Sequence, residues 1–121
     1  MDVVEAKEIV RAEIDRLTPT LLEVSHSIHA NPELNFEEHH AHDTLAGVLE
    51  DQGLTVERGA YDMATAFESR VGVDDGPTVA VLCEYDALPG IGHACGPNII
   101  GAAGLGARLA VAKGAEALGS R

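Results

Sequence analysis

The chain is short of positive charge, of cysteine and of long apolar runs, and each shortage removes a class of function. Only 8 Lys and Arg stand against 20 Asp and Glu in 121 residues, a formal net charge of −12. Such a surface repels phosphates instead of neutralising them, which argues against nucleic acid and against an anionic membrane as partners. The acid lies early: positions 1–58 hold 13 Asp and Glu against 4 Lys and Arg, as a solvated helical face would. No apolar run approaches the ~20 residues of a membrane-spanning helix. The opening MDVVEAKEIV lacks the basic start and apolar stretch of a secretory signal, so the expected setting is the cytoplasm. There, Cys83 and Cys95 read as a free buried thiol and a ligand thiolate in preference to a disulfide. Internal repeats and low-complexity linkers are also absent, and the length suits one domain.

What is present is periodic. Val10, Ile14, Leu17, Leu21, Val24 and Ile28 recur at steps of four and three, the spacing that lines one helical face. Thr18 before Pro19 suits an N-cap and first-turn pair, so the region is expected as one kinked helix or two pieces. Pro32 disfavours the helical conformation at Asn31 and ends it. A second helix is expected from an Asn35 N-cap, with Glu38 at capping-box spacing and Gly53 as its stop. LTVERG (54–59) and ATAFESRVGV (64–73) read as half-buried strands, the latter ending near the turn DDGP. TVAVLC (78–83) is continuously apolar and β-rich, as in a central strand covered on both faces. Chemistry in an open α/β sheet sits just past the carboxyl end of such a strand, where EYDALPG begins. From Asn98 onward, a run rich in Ala and Gly reads as a helix packed closely on the sheet.

The stretch CEYDALPGIGHACGPNII (83–100) gathers Glu84, Asp86, His93 and Cys95 within twelve positions. Zinc accepts thiolate, imidazole and carboxylate on short, stiff connections, but spacing alone equally suits a polar turn with an incidental thiol. Elsewhere the signals are blander. His39 and His42 in EEHHAH share a helical face and read as surface. The glycines of GAAGLGA (101–107) do not fit a dinucleotide loop and are read as close helix packing. Cys83 reads as a small core residue, and no nucleophile with a matched base is visible.

From about His26 to Leu109 the chain resembles the N-terminal part of the zinc-dependent amidohydrolases that include aminoacylase, glutamate carboxypeptidase and aminobenzoyl-glutamate hydrolase. The motifs that carry this are IHANPELNFEEHHAHDTLAGVLEDQGLTVERG and GPTVAVLCEYDALPGIGHACGPN; in the aminobenzoyl-glutamate hydrolase and dipeptidase branch the run reads EYDALPGIGHACGHN. The resemblance implies that Asp86 orients a metal centre without ligating it and that Cys95 is a ligand. Glu84 falls where the carboxypeptidase branch has a histidine ligand. His93 has no assigned role. Pro97 occupies the family's histidine-ligand position and cannot bind a metal, but it suits the first turn of the following helix. The family's general base, its other ligands and its smaller lid domain match nothing in this sequence.

These readings converge on an α/β fold, a twisted sheet flanked by helices, forming over 1–121 the N-terminal portion of a metallo-amidohydrolase catalytic domain without its C-terminal catalytic part. The implied chemistry is hydrolysis of amide bonds in N-acyl or aminobenzoyl amino acids and dipeptides, using zinc or another divalent metal, with a small amide as substrate. A chain lacking one ligand and the base is expected to be inactive alone and to hold metal weakly. A non-catalytic acidic binding module and one half of a split enzyme are the alternatives, the latter needing a separate C-terminal half. An open sheet edge also suits a homo-oligomer.

Overall fold

The computed structural model describes residues 1–119. Helix α1 (Val3–Ala30) begins at Asp2, whose carboxylate accepts the Glu5 N–H at 2.9 Å while Glu5 returns the bond to the Asp2 N–H at 2.8 Å. This reciprocal pair satisfies two donors that a helix start leaves open. The expected cap at Thr18 is therefore displaced to Asp2. Helix α1 runs as one element through Pro19, where the Thr18 hydroxyl donates to Ile14 O at 2.9 Å. Asn31 closes it, its N–H reaching Ile28 O and its side-chain amide Ser27 O.

Helix α2 (His39–Asp51) starts at Glu38, not at Asn35. Residues 35 and 36 turn instead, with Phe36 at φ 69°. Its far end matches expectation: Gly53, at φ 84°, donates to Glu50 O, and Leu54 donates to Leu49 O. That pair of bonds is the Schellman closure, and it requires the left-handed conformation that glycine adopts without strain.

The two expected strands form a short antiparallel hairpin, β1 (Glu57–Arg58) with β2 (Phe67–Glu68), in the register Glu57 to Glu68 and Arg58 to Phe67; β2 is half-buried as expected, whereas β1 is exposed. This two-stranded sheet is the one found among the described residues. Among the described residues the architecture is thus mixed, with three α-helices, one 3-10 turn (Ala60–Asp62) and a small sheet, roughly α/β. The expected covered central strand is overturned: residues 78–83 carry neither helix nor strand, and Val79 and Leu82 are 85% and 76% exposed. A central strand needs neighbours on both edges, and no other described segment pairs with this one.

Helix α3 (Pro97–Ala117) has Pro97 at its first turn, as expected. It packs mainly on α1, and its glycines set the distance. A Cβ on Gly106 would lie 2.8 Å from Leu21 Cδ1 and 3.4 Å from Ile14 Cδ1. Gly104 faces the other way, where a Cβ would lie 2.6 Å from Cys83 Sγ and 3.1 Å from Leu82 O. The core joins Leu17, Val24 and Ile28 of α1 to Leu45 and Leu49 of α2 and Leu105 and Leu109 of α3. None of the described helices is long and apolar enough to cross a membrane.

Candidate active site

Two glutamates build the ground on which the motif loop rests. Helix starts leave backbone N–H groups without partners, and Glu33 supplies acceptors for two of them, from His40 at 2.8 Å and Ala41 at 2.9 Å. The Glu33 carbonyl also accepts the Ala87 N–H at 2.7 Å. One residue therefore ties the start of α2 to the segment directly after Asp86. Glu38, buried at 8% exposure, accepts the Phe36 N–H at 2.9 Å and the Thr65 hydroxyl at 2.7 Å. This holds Phe36 in a left-handed conformation that costs a bulky residue about 1–3 kcal/mol.

Beyond Asp86 the loop turns tightly. Leu88 and Gly92 exchange backbone bonds across Pro89 to Ile91, with Gly90 and Gly92 both at positive φ. Gly96, also at positive φ, leads into α3. Asn98 anchors that helix start to α1 through Ser25 Oγ at 3.0 Å.

Glu84, exposed, and Asp86, half-buried, line a cavity of about 180 Å³ with Phe36, Glu38, Met63, Thr65, Cys83 and Tyr85. Burial pushes the Cys83 thiol up, keeping it protonated. The Tyr85 phenol, which donates to Thr65 O and stacks on Phe67, is pushed up to about 12 by burial and then by Glu38 and Cys83. One wall is thus anionic and another apolar, with Phe36 left 69% exposed.

Cys95 is exposed and is not among the residues lining this cavity. Pro97 is buried at the start of α3 and offers no donor. Among the described residues no three His, Cys, Asp or Glu side chains gather as a metal shell. The residues present therefore do not by themselves fit a metal ion.

His93, to which the motif gave no role, is 7% exposed, and neither of its ring nitrogens has a hydrogen-bond partner among the described residues. Burial, then the nearby His29, lowers its pKa, against the pull of the Ile28 backbone, Asp86 and Glu33. Its ring centre lies 6.2 Å from that of His29. His42 corrects a second reading. It is buried against Phe67 rather than at the surface, with Nε2 unpartnered, while His39 does face solvent. The roles of Glu33, Glu38 and Thr65 were not legible in the sequence; for the two glutamates the one available signal is their place in the PELNFEE run.

Fold and site together define a mixed α/β segment carrying a carboxylate-lined cavity beside a glycine-rich turn. No family model matches the chain. It is 37% identical to a human Xaa-Arg dipeptidase, over 87% of this chain and 27% of that protein. It is 35% identical to a p-aminobenzoyl-glutamate hydrolase polypeptide of Escherichia coli (strain K12), over 80% of this chain and 24% of that protein. Thermostable carboxypeptidase 2 of Saccharolobus solfataricus is 30% identical, over 79% of this chain and 27% of that protein. These relatives are hydrolases and peptidases, and the similarity is consistent with an amidohydrolase and peptidase family over the part of them that the chain spans. It spans about a quarter of the length of the curated relatives it matches.

Proposed function

We propose that this chain supplies one wall of a site that hydrolyses amide bonds of N-acyl or aminobenzoyl amino acids and dipeptides. The observation that carries the reading is the cavity that Glu84 and Asp86 line together with Phe36 and Met63. An apolar aromatic wall suits an acyl or aryl group, because stacking and burial reward flat apolar surface. Fixing Phe36 through Glu38 orients that wall before substrate arrives, which lowers the ordering cost of binding. Asp86 has its position held by the Ala87–Glu33 backbone bond, which suits a group that orients others. Cys95 is offered as a donor to the family's metal, and Glu84 as a second, weaker one. No hydrolytic step is assigned to the 121 residues alone, since among the described residues no water-activating base is placed.

The test is hydrolysis of N-acyl amino acids and aminobenzoyl-glutamate by the chain alone and mixed with the remaining segment of a relative. Turnover is expected in the mixture only, and Asp86→Ala should abolish it. Phe36→Ala should raise KM for aminobenzoyl-glutamate more than for an acetylated amino acid. Hydrolysis by the unmixed chain, unaffected by Asp86→Ala, overturns the reading.

A further inference from the structure

Thr65 is 5% exposed, and its hydroxyl and its carbonyl each serve another segment. The hydroxyl donates to Glu38 Oε2 at 2.7 Å, while the carbonyl accepts the phenol of Tyr85. Each partner holds a different wall of the cavity. The other oxygen of Glu38 accepts the Phe36 N–H at 2.9 Å, which ties the aromatic side to Thr65. Tyr85 lies between Glu84 and Asp86 in sequence, so a fixed ring fixes the peptide on each side of it. That ring is held by the Thr65 carbonyl, by Phe67, on which it stacks with ring centres 6.1 Å apart, and by Gly101 of α3, where a Cβ would lie 3.7 Å from Tyr85 Cβ and 3.4 Å from Glu84 O. The two walls meet at one residue.

Backbone strain falls on the same segments. Among the described residues, three besides glycine have a left-handed backbone: Phe36 at φ 69°, Tyr61 at 58° and Asp62 at 59°. Phe36 lines the cavity, and Tyr61 and Asp62 form the tip of the turn that Ala66 closes by accepting the N–H groups of Gly59 at 2.8 Å and Ala60 at 3.3 Å. Met63, Thr65 and Ala66 of that turn line the cavity too. Such conformations persist where the surroundings over-determine them. Here the holding groups are internal, since Glu38 and Thr65 are both closed off from solvent.

We propose that Thr65 is a positioning residue that couples the two walls. It sets the gap between Phe36 and Met63 on one side and Glu84 and Asp86 on the other, and with it the thickness of acyl or aryl group admitted. The specificity half of this rests on the cavity being the substrate site.

Three variants of the 121-residue chain test it. Thr65→Val removes the hydroxyl and keeps the shape, Thr65→Ser keeps the hydroxyl, and Tyr85→Phe removes only the phenol. Hydrogen exchange of the Phe36 amide reads the aromatic wall, and near-ultraviolet circular dichroism reads Tyr85, since the other tyrosine, Tyr61, is 69% exposed. Thr65→Val should speed Phe36 exchange at least about tenfold, as loss of a buried hydrogen bond does, and should weaken the tyrosine dichroism. Tyr85→Phe should speed the same amide although its phenol bonds to neither Phe36 nor Glu38, and Thr65→Ser should restore the parent values. The amides of Leu105 and Leu109 in α3 should be unchanged throughout. In the mixture with a relative's remaining segment, Thr65→Val should raise KM for aminobenzoyl-glutamate more than for an acetylated amino acid, and Thr65→Ser should restore the ratio. An unchanged Phe36 amide in Thr65→Val or Tyr85→Phe overturns the inference, as does equal acceleration of the α3 amides, which would mean general loosening. If Thr65→Val does not fold, Tyr85→Phe decides by the same amides. Equal KM changes for the two substrates overturn the specificity. No turnover by the unmodified chain in the mixture counts against the site reading alone, because exchange and dichroism are read without substrate.

Discussion

Replacing Glu33 by alanine tests whether one carboxylate holds the start of α2. The side chain accepts the N–H groups of His40 and Ala41 at 2.8 and 2.9 Å, and the residue is half-buried. Each bond has an ionised acceptor, and such bonds contribute about 1.5–3 kcal/mol when buried. Water can reach a half-buried helix start and replace part of that, and cap deletions cost about 0.5–2 kcal/mol. Loss of favourable charge at the positive end of the helix adds up to about 1 kcal/mol. Together these give about 2 kcal/mol, and with ~4 °C per kcal/mol for a chain of this length, a fall in Tm of about 8 °C. Glu33→Gln keeps one carbonyl acceptor but no charge, so about half that fall is expected. Calorimetry measures both, and hydrogen exchange should show the His40 and Ala41 amides opening faster. The Ala87 N–H bond goes to the Glu33 carbonyl and survives either change, so amides past Asp86 should be little affected. A Tm within about 2 °C of the parent for Glu33→Ala, or a glutamine variant as unstable as the alanine one, would refute the reasoning.

Two glycines should respond oppositely. Gly47→Ala meets nothing within 4 Å and should gain about 0.5–1 kcal/mol from helix propensity. Gly104→Ala forces a Cβ to 2.6 Å from Cys83 Sγ and 3.1 Å from a backbone oxygen, and should lose about 1 kcal/mol net by urea denaturation. Stability should also fall with acid through His93. Burial and His29 lower its pKa in the fold, so the unfolded chain takes the proton first. The contribution is whole above the ordinary histidine value of ~6.5 and is lost as pH falls through it towards the folded value. His93→Gln should flatten urea midpoints between about pH 7.5 and 5.5. Purified protein should carry zinc well below one ion per chain and release it to mild chelation, with Pro97→His raising occupancy; elemental analysis finding one tightly held zinc in the parent would contradict this.

Local rules reached far along this chain where the signal repeats. Leu17, Val24 and Ile28 are buried on one side of α1, as a stripe at steps of three and four dictates. Gly53 closes α2 and Pro97 opens α3 for reasons contained in those residues' own backbones. Capping was harder to read. Asn35 has a good cap side chain, but Glu33 and Glu38 satisfy the donors around the α2 start from outside the usual spacing. His42 lies one helical step from the exposed His39, and only packing against Phe67 decides that it is inside.

The sequence by itself determined the helices, their stops, the hairpin's place and the acidic balance, because each follows from periodicity, from backbone constraints at Gly and Pro, or from counting charge. Tertiary structure decided the rest. It brought Phe36, Thr65 and Glu84 to one cavity, across 48 positions between the first and the last, and it buried His93 while leaving Cys95 outside. Among the described residues it also gave TVAVLC no partner strand, although its composition reads as a covered strand. A strand is not a property of its own residues. Its peptide groups need partners on another segment, and apolar side chains count as buried only when some other surface lies against them.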